Sequence, residues 1–235
     1  LADTVRRTAE RRGKIIIPSF ALERTQEIVY FLSELIRERR IPDIPVYVDS
    51  PLAVDVTEIF RRHEECFDAE TVARIRRNDD PFGTKRITYI RDVADSIRLN
   101  DDHRPMVIIS ASGMCEAGRI LHHLRNNVEN RRNTVLIVGY AAANTLGRRI
   151  VEREETIKIF GQEHKLRSEV VVINAFSAHA DRNELLEHLD PLRGTVKGVF
   201  VVHGDEDQSE KLVAAMRERG FPVHLPRPEE TFELS

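Results

Sequence analysis

Short unbroken runs of valine and isoleucine, separated by longer amphipathic stretches, constrain this chain more than any other feature. Residues 14–18 read Lys-Ile-Ile-Ile-Pro, residues 106–109 Met-Val-Ile-Ile, residues 134–138 Thr-Val-Leu-Ile-Val and residues 170–173 Val-Val-Val-Ile. A run without polar alternation is a strand covered on both faces, as in a parallel sheet flanked by helices. The intervening stretches fit helices. Residues 23–40 place Ile28, Phe31, Leu32, Leu35 and Ile36 at helical spacing. Ser50 followed by Pro51 is a hydroxyl cap before the residue favoured at the first helical position. Residues 2–12 read as the end of a basic helix stopped by Gly13. Strands at 45–49 and 87–90 and helices at 50–62, 65–78, 93–99, 117–128 and 145–152 complete an alternation that specifies a doubly wound parallel layer.

The texture changes from Thr156. Strands are expected at 156–160 and 168–175 with a turn near Gly161, then a helix at 181–189. A strand ending at His203, a helix at 207–217 and a last short strand at 223–225 follow. A domain boundary is expected near Arg153, dividing the chain into 1–153 and 154–235. Asp181-Arg-Asn-Glu184 and Asp207-Gln-Ser-Glu210 both have capping-box form. The run at 170–173 leads to His179 and the run at 199–202 leads to His203. Ligands of open α/β sheets bind at the carboxyl edge of the strands. The two histidines are therefore expected at one edge, as parts of one site.

Bulk properties narrow the function classes. Net charge is −3, so no global positive field marks the chain as a nucleic-acid binder, although arginines cluster locally. Cys66 and Cys115 are too few for a disulfide framework or a cysteine zinc site. No apolar run reaches transmembrane length and no secretory signal is present. The expectation is a cytoplasmic protein without membrane contact. Because the chain opens on Leu1 inside a helix, it reads as a piece of something longer.

Several strand ends carry loops suited to anions. Residues 110–119 join a strand to a helix through Ser110, Ser112, Gly113 and Gly118, with Arg119 at the helix start; exposed backbone N–H groups and hydroxyls there would bind a phosphate. Residues 139–149 repeat the pattern with Arg148 and Arg149. In residues 18–27, Arg24 and Gln26 could reach a phosphate and Phe20 could stack on a base. Each loop alone is equally an ordinary connection; with residues 49–53 and the turn before Asp181 there are five such strand ends, and their convergence on one edge is more persuasive than any one of them. His179, between two small residues, could donate a proton to an anionic substrate; as a plain turn residue beside the cap Asp181 it is equally well explained. His203 suits a zinc ligand or a satisfied polar group, with Asp205, Glu206 and Asp207 nearby to orient it. One histidine cannot make a zinc site. His122 and His123 are adjacent and cannot share a helical face.

Taken together, six ordered stretches resemble the β-CASP branch of the metallo-β-lactamase superfamily, nucleases that process RNA and DNA. They are Ile17-Pro-Ser-Phe-Ala-Leu-Glu-Arg-Thr-Gln26, Val48-Asp-Ser-Pro-Leu-Ala53, Ser110-Ala-Ser-Gly-Met114 with Gly118-Arg119, Gly139-Tyr140 with Thr145-Leu-Gly-Arg148, Phe176-Ser-Ala-His-Ala-Asp181 and Val202-His-Gly204. The closest likeness is to the cleavage-and-polyadenylation endonucleases and their prokaryotic relatives. The resemblance implies an α/β fold: a doubly wound parallel-sheet β-CASP domain over 1–153, which binds nucleic acid, and the C-terminal part of a metallo-β-lactamase αββα core over 154–235. It implies a zinc-dependent ribonuclease with two zinc ions, in which His179 is catalytic and His203 ligates metal. Ser19, Arg24, Ser112, Gly113, Arg119 and Ser177 would contact RNA or its phosphates. Single-stranded RNA is the implied partner, and a homodimer is allowed. The family's remaining metal ligands and the acidic partner of His179 belong upstream of Leu1, so the 235 residues alone are expected to be inactive. Ala117, Ala141 and Asn144 depart from the family's usual residues at substrate-contacting loops. Two other readings stand beside this one: a metal-free nucleic-acid-binding scaffold subunit, and a generic doubly wound domain for a small phosphorylated ligand.

Overall fold

The structure, a computed structural model, describes residues 1–77, 79–83, 85–176 and 180–233. It divides into two compact units, Leu1–Ser177 and Ala178–Ser235. In the first unit, in chain order, lie α1 (Ala2–Glu10), β1 (Lys14–Pro18), α2 (Arg24–Arg37), β2 (Val46–Asp49), α3 (Pro51–Arg62), α4 (Ala69–Ile75), β3 (Ile87–Ile90), α5 (Val93–Asp101) and β4 (Met106–Ser110). They are followed by α6 (Arg119–Asn127), β5 (Thr134–Ile137), α7 (Leu146–Val151), β6 (Thr156–Ile159), β7 (Gln162–Lys165) and β8 (Glu169–Val172). The second unit holds α8 (Arg182–Leu189), β9 (Val199–Phe200), α9 (Glu206–Glu218) and β10 (Val223–His224).

Six strands form one parallel sheet in the order β3-β2-β4-β1-β5-β8. Its centre is buried on both faces, as the apolar runs require. Successive strand residues point to opposite faces. Ile15 and Ile17 of β1, Val107 and Ile109 of β4 and Leu136 of β5 pack with Val5, Ile28 and Leu32 of α1 and α2. Ile16, Met106, Ile108, Val135 and Ile137 pack on the other face with Leu99, Ile120, Leu124 and Ile150 of α5, α6 and α7. Each fully buried isoleucine contributes roughly 1.5–3 kcal/mol relative to an exposed one. The doubly wound parallel layer is as the sequence predicts.

Gly13 marks where α1 turns into β1. Its N–H donates to Thr8 O at 2.9 Å, and a Cβ added at Gly13 would lie 1.7 Å from the carbonyl oxygen of Arg132. That neighbour is backbone and cannot swing aside. Gly13→Ala is therefore expected to lower stability by about 1–3 kcal/mol, read as a lower urea midpoint at unchanged slope.

Ser50 caps α3 with Pro51 at its start, its Oγ accepting from Ala53 N at 3.3 Å. Asp181 and Glu184 form the expected capping box of α8. Other expectations need correction. The helix expected at 65–78 is a 3-10 turn at Glu64–Cys66 followed by the shorter α4, because Asp68 caps a new start through Thr71 N. β7 has no counterpart in the sequence reading: its residues are polar on both sides, so no alternation marks it, yet it pairs antiparallel with β6. The strand expected at 168–175 ends at Val172 and gives way to a 3-10 turn at Asn174–Phe176. The packing division lies downstream of the boundary expected near Arg153, because β8 hydrogen-bonds to β5.

The second unit has its own core of Leu186, Val213, Met216, Phe221 and Val223. β9 pairs in parallel with β10 in a separate two-stranded sheet. The strands before His179 and His203 therefore do not share a sheet, contrary to the single edge expected for them. Hydrophobicity identifies a strand but not the sheet that receives it. Asp207 does not cap α9, which starts at Glu206; its carboxylate accepts instead from Gln208 and from Lys211 Nζ at 3.2 Å. No helix among the described residues is long and apolar enough to cross a membrane.

Candidate functional site

Parallel pairing brings the carboxyl ends of all six large-sheet strands to one edge, which is where such sheets bind ligands. The loops there hold one another. Ser19 N donates to Ser110 O at 3.0 Å, linking β1 to β4. Ser110 Oγ donates to Asp49 O at 2.8 Å, linking β4 to β2. The loop after β4 meets the start of α7, where Leu146 N donates to Glu116 Oε1 at 2.6 Å and Gly147 N to Met114 O at 3.0 Å.

Residues 111–118 form a closed turn. Ser112 N donates to Ala117 O at 3.2 Å, and Ser112 Oγ accepts from Glu116 N at 3.2 Å. Gly118 has φ +85°, which a side chain would strain, and an added Cβ would lie 2.5 Å from Ala111 O. Gly113 lets Phe20 approach: its added Cβ would lie 3.1 Å from two ring carbons. Phe20 remains 48% exposed beside it. Cys115 is buried in this turn; burial foremost, then the charge of Glu116, pushes its thiol up to about 12, so it is no thiolate nucleophile.

Beneath the edge lies a polar cluster that the sequence reading missed. Asp49, the last residue of β2, is fully buried. Its Oδ1 accepts from Arg119 Nη1 at 2.7 Å, and its Oδ2 accepts from Ser96 Oγ and lies 2.6 Å from His123 Nε2. Burial opposes the charge on Asp49. Hydrogen bonds from His123, Ser96 and Arg119, with the His123 charge, nevertheless hold its carboxyl below the usual carboxylate range. Arg119 also donates to Arg91 O at 2.6 Å. His122 and His123, being adjacent, do not share a helical face; the informative spacing is that of His123 with Arg119, four residues earlier on the same face. Together with an aspartate closing an apolar strand, that spacing could have found the cluster.

The structure brings Ser19, Ser112, Gly113 and Arg119 together at this edge, with Arg24 nearby in the first turn of α2. Ser19 is buried and accepts from Thr25 Oγ1 at 3.1 Å. Arg24 is paired with Glu27, and the guanidinium of Arg119 is held by Asp49 and a main-chain carbonyl rather than extended into solvent. His203 lies in the second unit, exposed, with φ +63°. Ser177 and His179 lie outside the described residues. Among the described residues no group of three or more His, Cys, Asp and Glu side chains could hold a metal ion. A zinc site needs at least three protein ligands, so the single imidazole of His203 does not by itself fit one.

Comparison with known proteins supplies the family. The Beta-Casp domain profile matches residues 25–150, and the profile of the Zn-dependent metallo-hydrolase RNA specificity domain matches residues 163–226. Ribonuclease TTHA0252 of Thermus thermophilus is 36% identical over 96% of this chain and 51% of its own length. Transcription termination factor FttA of Methanosarcina mazei is 32% identical over 90% of the chain and 34% of its own length. An RNase J-like protein of Methanocaldococcus jannaschii is 31% identical over 89% of the chain and 47% of its own length. The chain thus spans about half the length, or less, of these relatives.

Proposed function

Because the chain belongs to the β-CASP family, we propose that the protein it forms part of is a zinc-dependent ribonuclease that hydrolyses phosphodiester bonds of single-stranded RNA. The observation that carries this reading is the knitted set of strand-end loops at one carboxyl edge, with Ser112, Gly113 and Arg119 in adjoining positions. Backbone positioning needs hydrogen bonds and charge but little sequence reading. In this proposal Ser112, Gly113 and Ser177 border the phosphate backbone, while Ser19, buried and bonded to Ser110 and Thr25, holds the adjoining loop from beneath rather than touching RNA. Arg24 and Arg119 supply charge, with Arg119 oriented by Asp49. His179 gives a proton to the departing oxygen. His203 is one metal ligand, and the others for two zinc ions come from outside the described residues. The likeness to a ribonuclease of Thermus thermophilus and to an RNase J-like protein of Methanocaldococcus jannaschii supports the substrate class.

The test is cleavage of an end-labelled single-stranded RNA by the full-length protein, with and without a chelator. Expected are shortened products that disappear on chelation and return on adding zinc. Tight RNA binding without cleavage under any metal condition would favour a scaffold subunit instead. Binding of neither RNA nor its fragments would leave only a generic phosphate-binding layer.

A further inference from the structure

The hydrogen bonds around Asp49 continue along the sheet face and fix the state of His123. The orientation of each amide follows from one end. Lys14 N–H can only donate, and it reaches Asn133 Oδ1 at 2.8 Å. Asn133 Nδ2 is thereby turned to donate to Asn127 Oδ1 at 3.0 Å and Asn127 O at 3.2 Å. Asn127 Nδ2 then donates to His123 O at 2.8 Å and points at Asn100 Oδ1 at 3.4 Å. Asn100 therefore presents its oxygen to this cluster, and that oxygen lies 3.0 Å from His123 Nδ1. An amide oxygen only accepts, so Nδ1 carries a hydrogen. On the other side of the ring Nε2 faces Asp49 Oδ2 at 2.6 Å. An ionised carboxylate also only accepts, so Nε2 carries a hydrogen as well.

We propose that His123 is a buried imidazolium which, with Arg119, brackets Asp49 and so acts as a positioning residue for the 111–118 loop against an RNA phosphate. The charges in contact are two cations and one anion, leaving a surplus positive charge at the foot of that loop. Other elements add little that cancels it. α5 presents the neutral Ser96 and Asn100, and β1 presents Lys14, whose Nζ donates to Leu99 O at 2.7 Å and Asn100 O at 3.1 Å. Asp101 and Asp102 act on Lys14. A neutral imidazole in the same place would turn a bare ring nitrogen toward either Asp49 Oδ2 or Asn100 Oδ1, setting two acceptors against each other and losing one hydrogen bond, even though Ser96 and Asn127 still donate to those oxygens.

The RNA part of this proposal rests on the ribonuclease reading, whereas the protonation state does not. The first experiment is NMR of the full-length protein with 15N-labelled histidine at neutral pH. His123 is identified by comparison with His123→Asn and by slow exchange of its buried N–H groups. One-bond 15N–1H coupling at both ring nitrogens is expected; a ring nitrogen without a hydrogen would overturn the imidazolium. Where His123→Asn folds poorly, stability of the pair of variants decides. Asp49→Asn/His123→Asn should have a higher urea midpoint than Asp49→Asn alone, since it removes a stranded cation, and an equal or lower midpoint would count against the charge. In RNA cleavage, His123→Asn is expected to raise KM about tenfold, the size of one charge-assisted hydrogen bond, with kcat within about twofold. An unchanged KM, or equal losses in both constants, would remove the positioning role.

Discussion

Replacing Asp49 with Asn is expected to cost the fold about 3–5 kcal/mol, the usual penalty for leaving a buried charge without its partner. The substitution preserves shape but removes the only anion in contact with Arg119 and His123 among the described residues. Urea unfolding of the full-length protein should show a lower midpoint at unchanged slope. The same carboxylate sets an acid limb to stability. Because its folded-state pKa lies below the usual carboxylate value, its contribution is fully present above the unfolded value and is lost as pH falls through the folded one. The wild type should therefore lose stability in acid more steeply than Asp49→Asn. Parallel acid limbs would mean that Asp49 is not the ionised centre of the cluster.

His179→Ala in the full-length protein is expected to lower turnover of RNA by about 10²- to 10⁴-fold, the range for losing a positioned general acid. RNA affinity should change far less, since the loops of the large sheet provide the proposed contacts. This split is the informative result. Equal falls in turnover and affinity would make His179 a binding residue, and no fall in either would remove it from the chemistry.

How much of this was legible beforehand differs by level. The unalternating runs at 14–18, 106–109 and 134–138 identified buried parallel strands, because a strand between two helical layers has no polar face to show. Ser50-Pro51 and Asp181-x-x-Glu184 identified helix starts, because caps satisfy local backbone donors. β7 escaped because a polar exposed hairpin strand carries no periodic signal. The site was legible as a set of loops but not as a mechanism of support. Ser112 and Arg119 stand out in the sequence as phosphate contacts, whereas Asp49, which holds Arg119, and His123, which faces Asp49, do not.

The sequence by itself therefore determined the alternation of elements, the parallel layer and the edge at which its loops gather, since these follow from residues near one another in the chain. Only the tertiary structure decided that Asp49, Ser96, Arg119 and His123 meet in one buried cluster, and that β9 joins a different sheet from β8. Strand pairing and burial bring together groups from β2, α5 and α6. Asp49 meets its partners Ser96, Arg119 and His123 only across 47 or more residues of sequence, so the local i, i+4 spacing of Arg119 and His123 hints at the cluster without naming the carboxylate they share.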